Sequence, residues 1–263
     1  MKKYAALILL LWLVAVVGGR LLQLNPDFIN LNAILQSPNA QYWLGADDLG
    51  RSVGARLLAG VEVSLLVALI VTIVTMTVGI AIGVLAGFYG GKIDQALMQL
   101  TDVFLAFPGI LLAIAFAAIL GPGINNLIIA LSITGWVSYA RLTRGQVLSL
   151  RYRQHVVAAE SLGANVPRLI MQHILPLLIS ILIVEATYSI ASVMIAEASL
   201  SFLGLGIQAP HASWGGMLRD AVRYMLIAPH YVLIVGTSLM SLILAVNLLG
   251  DYLRDRMDVR IEA

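Results

Sequence analysis

From Leu65 to Gly87 the chain runs without a single charged side chain. Wound as a helix rising about 1.5 Å per residue, such a run is long enough to cross the roughly 30 Å hydrocarbon layer of a bilayer. Five further apolar stretches alternate with polar connections: Tyr4 to Leu24, Val103 to Leu120, Asn125 to about Tyr139, Ile174 to Leu200, and about Pro229 to Leu249. One run of this kind fits inside a soluble core; six in 263 residues do not, because 60% of the chain is hydrophobic and only 11% charged, with a mean hydropathy of +0.94. The expectation is an all-α integral membrane protein with about six transmembrane helices.

Residues 1–24 follow Lys2 and Lys3 with an apolar core ending at Gly18-Gly19-Arg20, which has the pieces of a secretory signal. Read as an uncleaved first span, it puts the amino terminus inside. Residues 25–60 turn polar, with Asp27, Asp47, Asp48 and several Pro, Gly and Asn turn signals, and are expected to form a periplasmic loop. Residues 61–263 then hold the core with five further spans. In the second span, Val61 to Gly87, the glycines Gly79, Gly83 and Gly87 recur at four-residue spacing and so share one helix face, where a neighbouring backbone can approach closely. Packing is the expected use of that face, a hinge its functional alternative. Tyr89 to Asp102 reads as an amphipathic helix at the inner surface. Pro108 falls inside the third span and is expected to kink it, and Gly121-Pro122-Gly123 marks an external turn. Eleven of the sixteen Lys and Arg residues, namely Lys2, Lys3, Lys92, Arg141, Arg144, Arg151, Arg153, Arg168, Arg254, Arg256 and Arg260, then lie on the side that holds both termini. The positive-inside rule makes that side cytoplasmic, with Asp251 to Ala263 as a charged tail.

The segment from about 140 to 176 is the one long polar-bearing stretch between apolar runs. Val147 to Leu162 is rich in helix formers, Gly163 is a permissive stop, Asn165 can cap a second helix, and Pro167 is tolerated in a first turn. Two short helices joined by a glycine elbow are predicted. Ala158-Ala159, then three residues, Gly163, nine more, and a closing Leu175-Pro176 resembles the EAA loop of ABC importer permeases. Leu44-Gly45-Ala46-Asp47-Asp48-Leu49-Gly50-Arg51 and Ser201-Phe202-Leu203-Gly204-Leu205-Gly206 resemble signatures of the dipeptide, oligopeptide and nickel branch of that family, C-type subunit. Val157 stands where the motif's name-giving Glu would be, and His173 where an Ile is usual.

The resemblance implies the type I ABC importer permease fold in a bacterial cytoplasmic (inner) membrane. It also implies coupling to an ATPase through Ala158, Ala159, Gly163, Leu175 and Pro176. Its implied partners are a second homologous permease subunit, two ATPase subunits that bind ATP and Mg, and a periplasmic or lipid-anchored solute-binding protein. Peptides and nickel or other metal chelates are the implied cargo.

Absent motifs bound the chemistry. No G-x-x-x-x-G-K-[ST] phosphate cradle occurs, nor any G-x-S-x-G or H-E-x-x-H arrangement, so no catalytic residue, cofactor or ATPase activity is assigned to the chain itself. There are no cysteines, which removes disulfides, thiolate metal sites and thiol nucleophiles. The basic residues flank spans instead of gathering on one groove-facing surface, which argues against nucleic acid. His155 and His173 flank the elbow, while His211 and His230 fall on the external side at a spacing with no metal-ligand meaning, so no metal site is predicted. A self-contained secondary transporter or channel is the alternative, but it would usually show self-similar halves, and none are seen.

Two acids in the fifth span read differently. A carboxyl at membrane depth is expensive and should face protein or water. Glu185, Tyr188, Ser189, Ser192, Ala196 and Ser199 follow three- and four-residue steps on one helix face, and Glu185, Tyr188, Ser189 and Ser192 are taken as candidates for lining a translocation pathway. Glu197 lies about 120° round the helix and is read as structural, pairing near an external mouth. Trp214, with Tyr224 and Tyr231, is read as an interfacial aromatic of that mouth.

Overall fold

The computed structural model describes residues 2–257. Met1 and the end of the charged tail, Arg260 included, lie outside the described residues. Among these residues every regular element is helical, save one antiparallel bridge between Ala46 and Ser52. The order is α1 (Lys2–Leu21), a 3₁₀ turn (Leu31–Ala33), α2 (Val53–Tyr89), α3 (Gly91–Leu105), α4 (Gly109–Leu120), α5 (Ile124–Leu150), α6 (Gln154–Ser161), α7 (Val166–Arg168), a π-turn (Leu169–Ile174), α8 (Leu175–Phe202), α9 (Trp214–Arg223) and α10 (Pro229–Met257). Three continuous helices are long and apolar enough to cross a membrane: Val53–Tyr89, Val166–Phe202 and Pro229–Met257. The α3–α4 pair passes as a fourth, broken span, and α1 is a shorter apolar helix.

Pro108 does more than kink the third span. The chain leaves the helix after Leu105, resumes it at Gly109, and turns by 81° between α3 and α4. Proline supplies no N–H and pushes its predecessor, Phe107, away from helical torsions, so with no continuing helix on the other side the axis breaks. Twelve-residue α4 rises only about 18 Å, less than a bilayer core. Asn126 then closes it by donating from Nδ2 to the Leu120 carbonyl at 2.7 Å.

The bundle is held mainly by α2 against α5. Three of the five glycines of α2, Gly79, Gly83 and Gly87, lie on that seam: a Cβ on Gly83 would stand 2.6 Å from Thr143 Cβ, and one on Gly87 2.8 Å from Val147 Cβ, so only a bare backbone fits. That is the expected packing face. Ion pairs Arg141–Asp102 and Arg144–Asp94, the latter with Nη2–Oδ2 at 2.6 Å, tie α3 to α5. α10 continues as helix through Met257, so residues 251–257 of the expected tail are wound rather than extended.

Candidate functional site

Two ends of the bundle carry distinct chemistry, the elbow end and the loop end. At the elbow, α5 stops at Leu150 and α6 starts only at Gln154, so the helix expected from Val147 to Leu162 is two pieces. α6 terminates as the glycine required: Gly163 sits at φ +87°, its N–H donates to Glu160 O at 2.9 Å, and Ala164 N–H donates to Ala159 O at 3.0 Å. This pair of bonds is a Schellman motif. Asn165 then accepts from Arg168 N at 3.1 Å, and Pro167 lies in the first turn of α7. Pro176, next along, has no N–H and would press its ring on the carbonyl of Gln172 in an α-helix. The preceding turn widens instead, with Leu175 N–H reaching five residues back to Ile170 O, the kind of π-bulge often found at functional sites.

The inner side of the elbow is anchored. Val156, Leu169, Ile174 and Leu178 are buried against Val84 of α2 and Val147 and Leu150 of α5. Its outer side is not: Leu162 is 89% exposed, Met171 64% and Val157 44%. Ala158, Gly163 and Pro176 are exposed too, while Ala159 and Leu175 are half-buried. The structure thus presents a rigidly capped turn with apolar residues pointing away from the chain's own core.

The polar stripe of α8 divides along its length. Glu185 and Tyr188 open on a cavity of about 700 Å³ at the elbow end, shared with Gln146 and Arg153 beside α5 and Arg254 of α10. Tyr188 also donates its hydroxyl to Asp251 at 2.6 Å, joining α8 to α10. Ser189 turns to α2, with its hydroxyl 3.4 Å from that of Thr72, and Ser192 is exposed. The helix face is shared as the spacing demands, but its members meet different surroundings.

At the loop end Glu197 and Trp214 are bonded from within, while Asp48 Oδ1, Arg219 Nε, His230 Nε2 and the Tyr231 hydroxyl are buried without a hydrogen-bond partner. Glu197, fully buried, accepts from Ser64 of α2 and from Ser201, each at 2.8 Å, and Ser201 in turn accepts from Ile207 N at 3.1 Å. Trp214 is also fully buried. It donates from Nε1 to Leu57 O at 2.9 Å and packs on Trp12 with ring centroids 5.1 Å apart. Glu197 is thus a paired structural acid, as its reading had it, whereas Trp214 and Tyr231, read as interfacial, reach no surface and are interior struts. The turn after α8 repeats the motif of the elbow: Gly204, at φ +84°, donates to Ser201 O at 3.1 Å, and Leu205 donates to Leu200 O at 2.9 Å.

This chain matches the family described as binding-protein-dependent transport system inner membrane component over residues 79–259. It belongs to that family. The permease is 44% identical over 236 residues to the glutathione transport system permease protein GsiD of Escherichia coli O157:H7, covering 90% of this chain and 77% of that one. It is 40% identical over 252 residues to the nickel transport system permease protein NikC of Escherichia coli K12, covering 96% and 91%. Its fold matches the inward-facing MetNI methionine ABC transporter with a TM-score of 0.62 at 16% identity, across 76% of this chain and 95% of that one. The all-helical architecture is therefore that of a type I ABC importer permease, and the chain is a permease component of an importer of this class.

The permease holds one polar centre that the motif alone did not expose. In residues 44–51, within the expected periplasmic loop, Asp47 is buried and accepts from Arg51 N at 2.8 Å and Arg51 Nε at 2.7 Å, while Arg56 Nε of α2 lies 3.5 Å away. Arg56 Nη1 also reaches Asp27, at 3.3 Å. Burial, then the neighbouring charges of Asp47 and Asp220, push the Asp48 carboxyl above its ordinary range. His230 rests against Gly45 here, and His211 is exposed. The signal was present as alternating Asp and Arg, but their convergence depends on α2 and on residues some 30 positions upstream.

Proposed function

We propose that this permease forms half of a translocation pathway, lying beside a second homologous permease subunit in a bacterial cytoplasmic membrane with both termini inside. Two separate ATPase subunits bind ATP and Mg and dock at the elbow, and a periplasmic or lipid-anchored solute-binding protein delivers cargo at the loop end. The observation that carries this reading is the outer face of the elbow: Leu162 and its apolar neighbours are held out by a Schellman cap that buries none of them. An exposed apolar patch of this kind marks a partner surface. The chain offers no phosphate cradle of its own, which supports a separate ATPase.

Movement of the docked ATPases would enter through α6 and α7, cross the π-turn at Pro176, and rotate α8. Glu185 and Tyr188 ride on that helix and face the 700 Å³ cavity, which supports their lining the pathway. The names of the relatives point to peptide-like or metal-chelate cargo, and the mixed charges of Glu185, Arg153 and Arg254 suit a cargo that carries both signs. A photo-crosslinking residue at Leu162 tests the docking: adducts with an ATPase subunit are expected in membranes, and adducts with lipid alone would overturn it.

A further inference from the structure

The flank built by α1, the start of α2 and residues 40–44 encloses a cavity of about 630 Å³. Trp12 and Gly18 of α1, Leu22 just after it, Leu57 of α2, and Trp43 and Leu44 of the loop are among its walls. From Trp12 to Leu22 the α1 wall rises about 15 Å, so the space is an apolar shaft running along the helices. Its depth is marked by Leu57, only 2% exposed, and its mouth by Leu22 and Trp43, 68% and 78% exposed. Gln41 and Ser52 line it too, both from the loop side. Nothing lies within 4 Å of where a Cβ on Gly18 would stand, so the shaft remains open because the sequence places no side chain there.

What reaches this mouth follows from the flank around it. Leu10, Leu13, Val14 and Leu21 of α1 are all exposed, and on a membrane-spanning helix such residues face hydrocarbon. The mouth lies where α1 ends and carries a tryptophan, the side chain favoured at the boundary between acyl chains and headgroups. A mostly apolar shaft disfavours water; apart from Ser238 of α10, its polar side chains Gln41 and Ser52 stand on the loop side, an arrangement that suits a lipid in length and polarity. We propose that the shaft holds one acyl chain of a membrane phospholipid, its ester and headgroup resting at Trp43 and Gln41. The chain then fills the gap between α1 and α2, which otherwise meet at Gly19 against Leu58 and at the Arg20–Glu62 ion pair.

The test uses the full-length permease in nanodiscs of phosphatidylcholine bearing a mid-chain diazirine, irradiated and mapped by peptide mass spectrometry. Adducts should concentrate on residues 12–22 and 40–58, above those at Ile119, which is 80% exposed and meets lipid without a cavity. Gly18→Leu, which fills the shaft, should reduce them roughly tenfold, as loss of a few methylene contacts implies. Leu13→Phe, on the outer face of α1, should leave them unchanged. If Gly18→Leu fails to insert, Ala40→Phe narrows the mouth from the loop side and should give the same reduction. Labelling no higher than at Ile119, labelling insensitive to both filling variants, or crosslinks from the shaft to another polypeptide would each overturn the proposal.

Discussion

Helices α6 and α8 end on the same hydrogen-bonding device, with Gly163 at φ +87° and Gly204 at φ +84°, yet the two turns stand in opposite surroundings. Around Gly163 there is open space, and the leucine before it points outward. Around Gly204, although Leu203 is also exposed, the backbone is crowded: Arg219 Nη1 would lie 3.0 Å from an added Cβ, and Glu197, bonded to Ser201, is locked to Ser64 of α2. One end of the permease turns apolar side chains such as Leu162 outward, while the other ties Glu197, Ser64 and Ser201 into its core. A helix cap is therefore neutral as to role; what surrounds it decides whether it offers a surface or seals one.

The sharpest break in this contrast comes from the loop end. Asp47→Ala strips two buried arginines of their anion, and removing one partner of a buried pair costs about 3–5 kcal/mol. A large fall in midpoint is expected in denaturant or thermal unfolding in detergent. Glu197→Leu comes next. It leaves the hydroxyls of Ser64 and Ser201 buried without their acceptor, at about 1–3 kcal/mol each, and Glu197→Gln, which retains an acceptor oxygen, should recover part of the loss in the same measurement.

A matched pair of glycine substitutions then sets end against end. Gly163→Ala and Gly204→Ala both force a side chain into left-handed torsions, worth about 1–2 kcal/mol. At Gly204 the crowding beside Arg219 adds to that cost and should lower global stability. At Gly163, where space is open, the effect should stay local: the protein assembles, unfolds near the wild-type midpoint, and loses ATPase stimulation by loaded binding protein. Equal global destabilisation of the two variants would erase the distinction drawn here.

The smallest effect on stability is expected at Glu185. Glu185→Gln should leave assembly intact while changing uptake rate or cargo preference, and Glu185→Leu should impair uptake more severely. Uptake assays at matched complex levels decide it, and wild-type transport by both variants would remove Glu185 from the pathway.

Much of the elbow was legible in the sequence because its causes are local. Gly163, Asn165 and Pro167 act within a few residues of themselves, and the three glycines of α2 announce a close approach whatever the partner. The loop end was read less well because its causes are remote. Ser64 and Glu197 are 133 positions apart, and Trp214 and Leu57 are 157 apart, so the partner of an acid read as structural could not be named, and a tryptophan read as interfacial is an interior strut. Pro108 shows a third case: its local chemistry was plain, but whether a proline bends a helix or ends it depends on the neighbours that hold the two halves.

The length of α2 carries a mechanical consequence. Its 37 residues make a rod of about 55 Å, nearly twice the thickness of the hydrocarbon it crosses. Arg56, near one tip, is gripped by Asp47 and Asp27, while Val84, near the other, is packed into the cluster behind the elbow. The glycines along its later half are not free to act as joints, because Gly79, Gly83 and Gly87 are all pressed against α5. A body of that stiffness cannot absorb a push at one tip; it can only tilt or slide, carrying the displacement to the opposite face of the membrane with the lag of a solid strut.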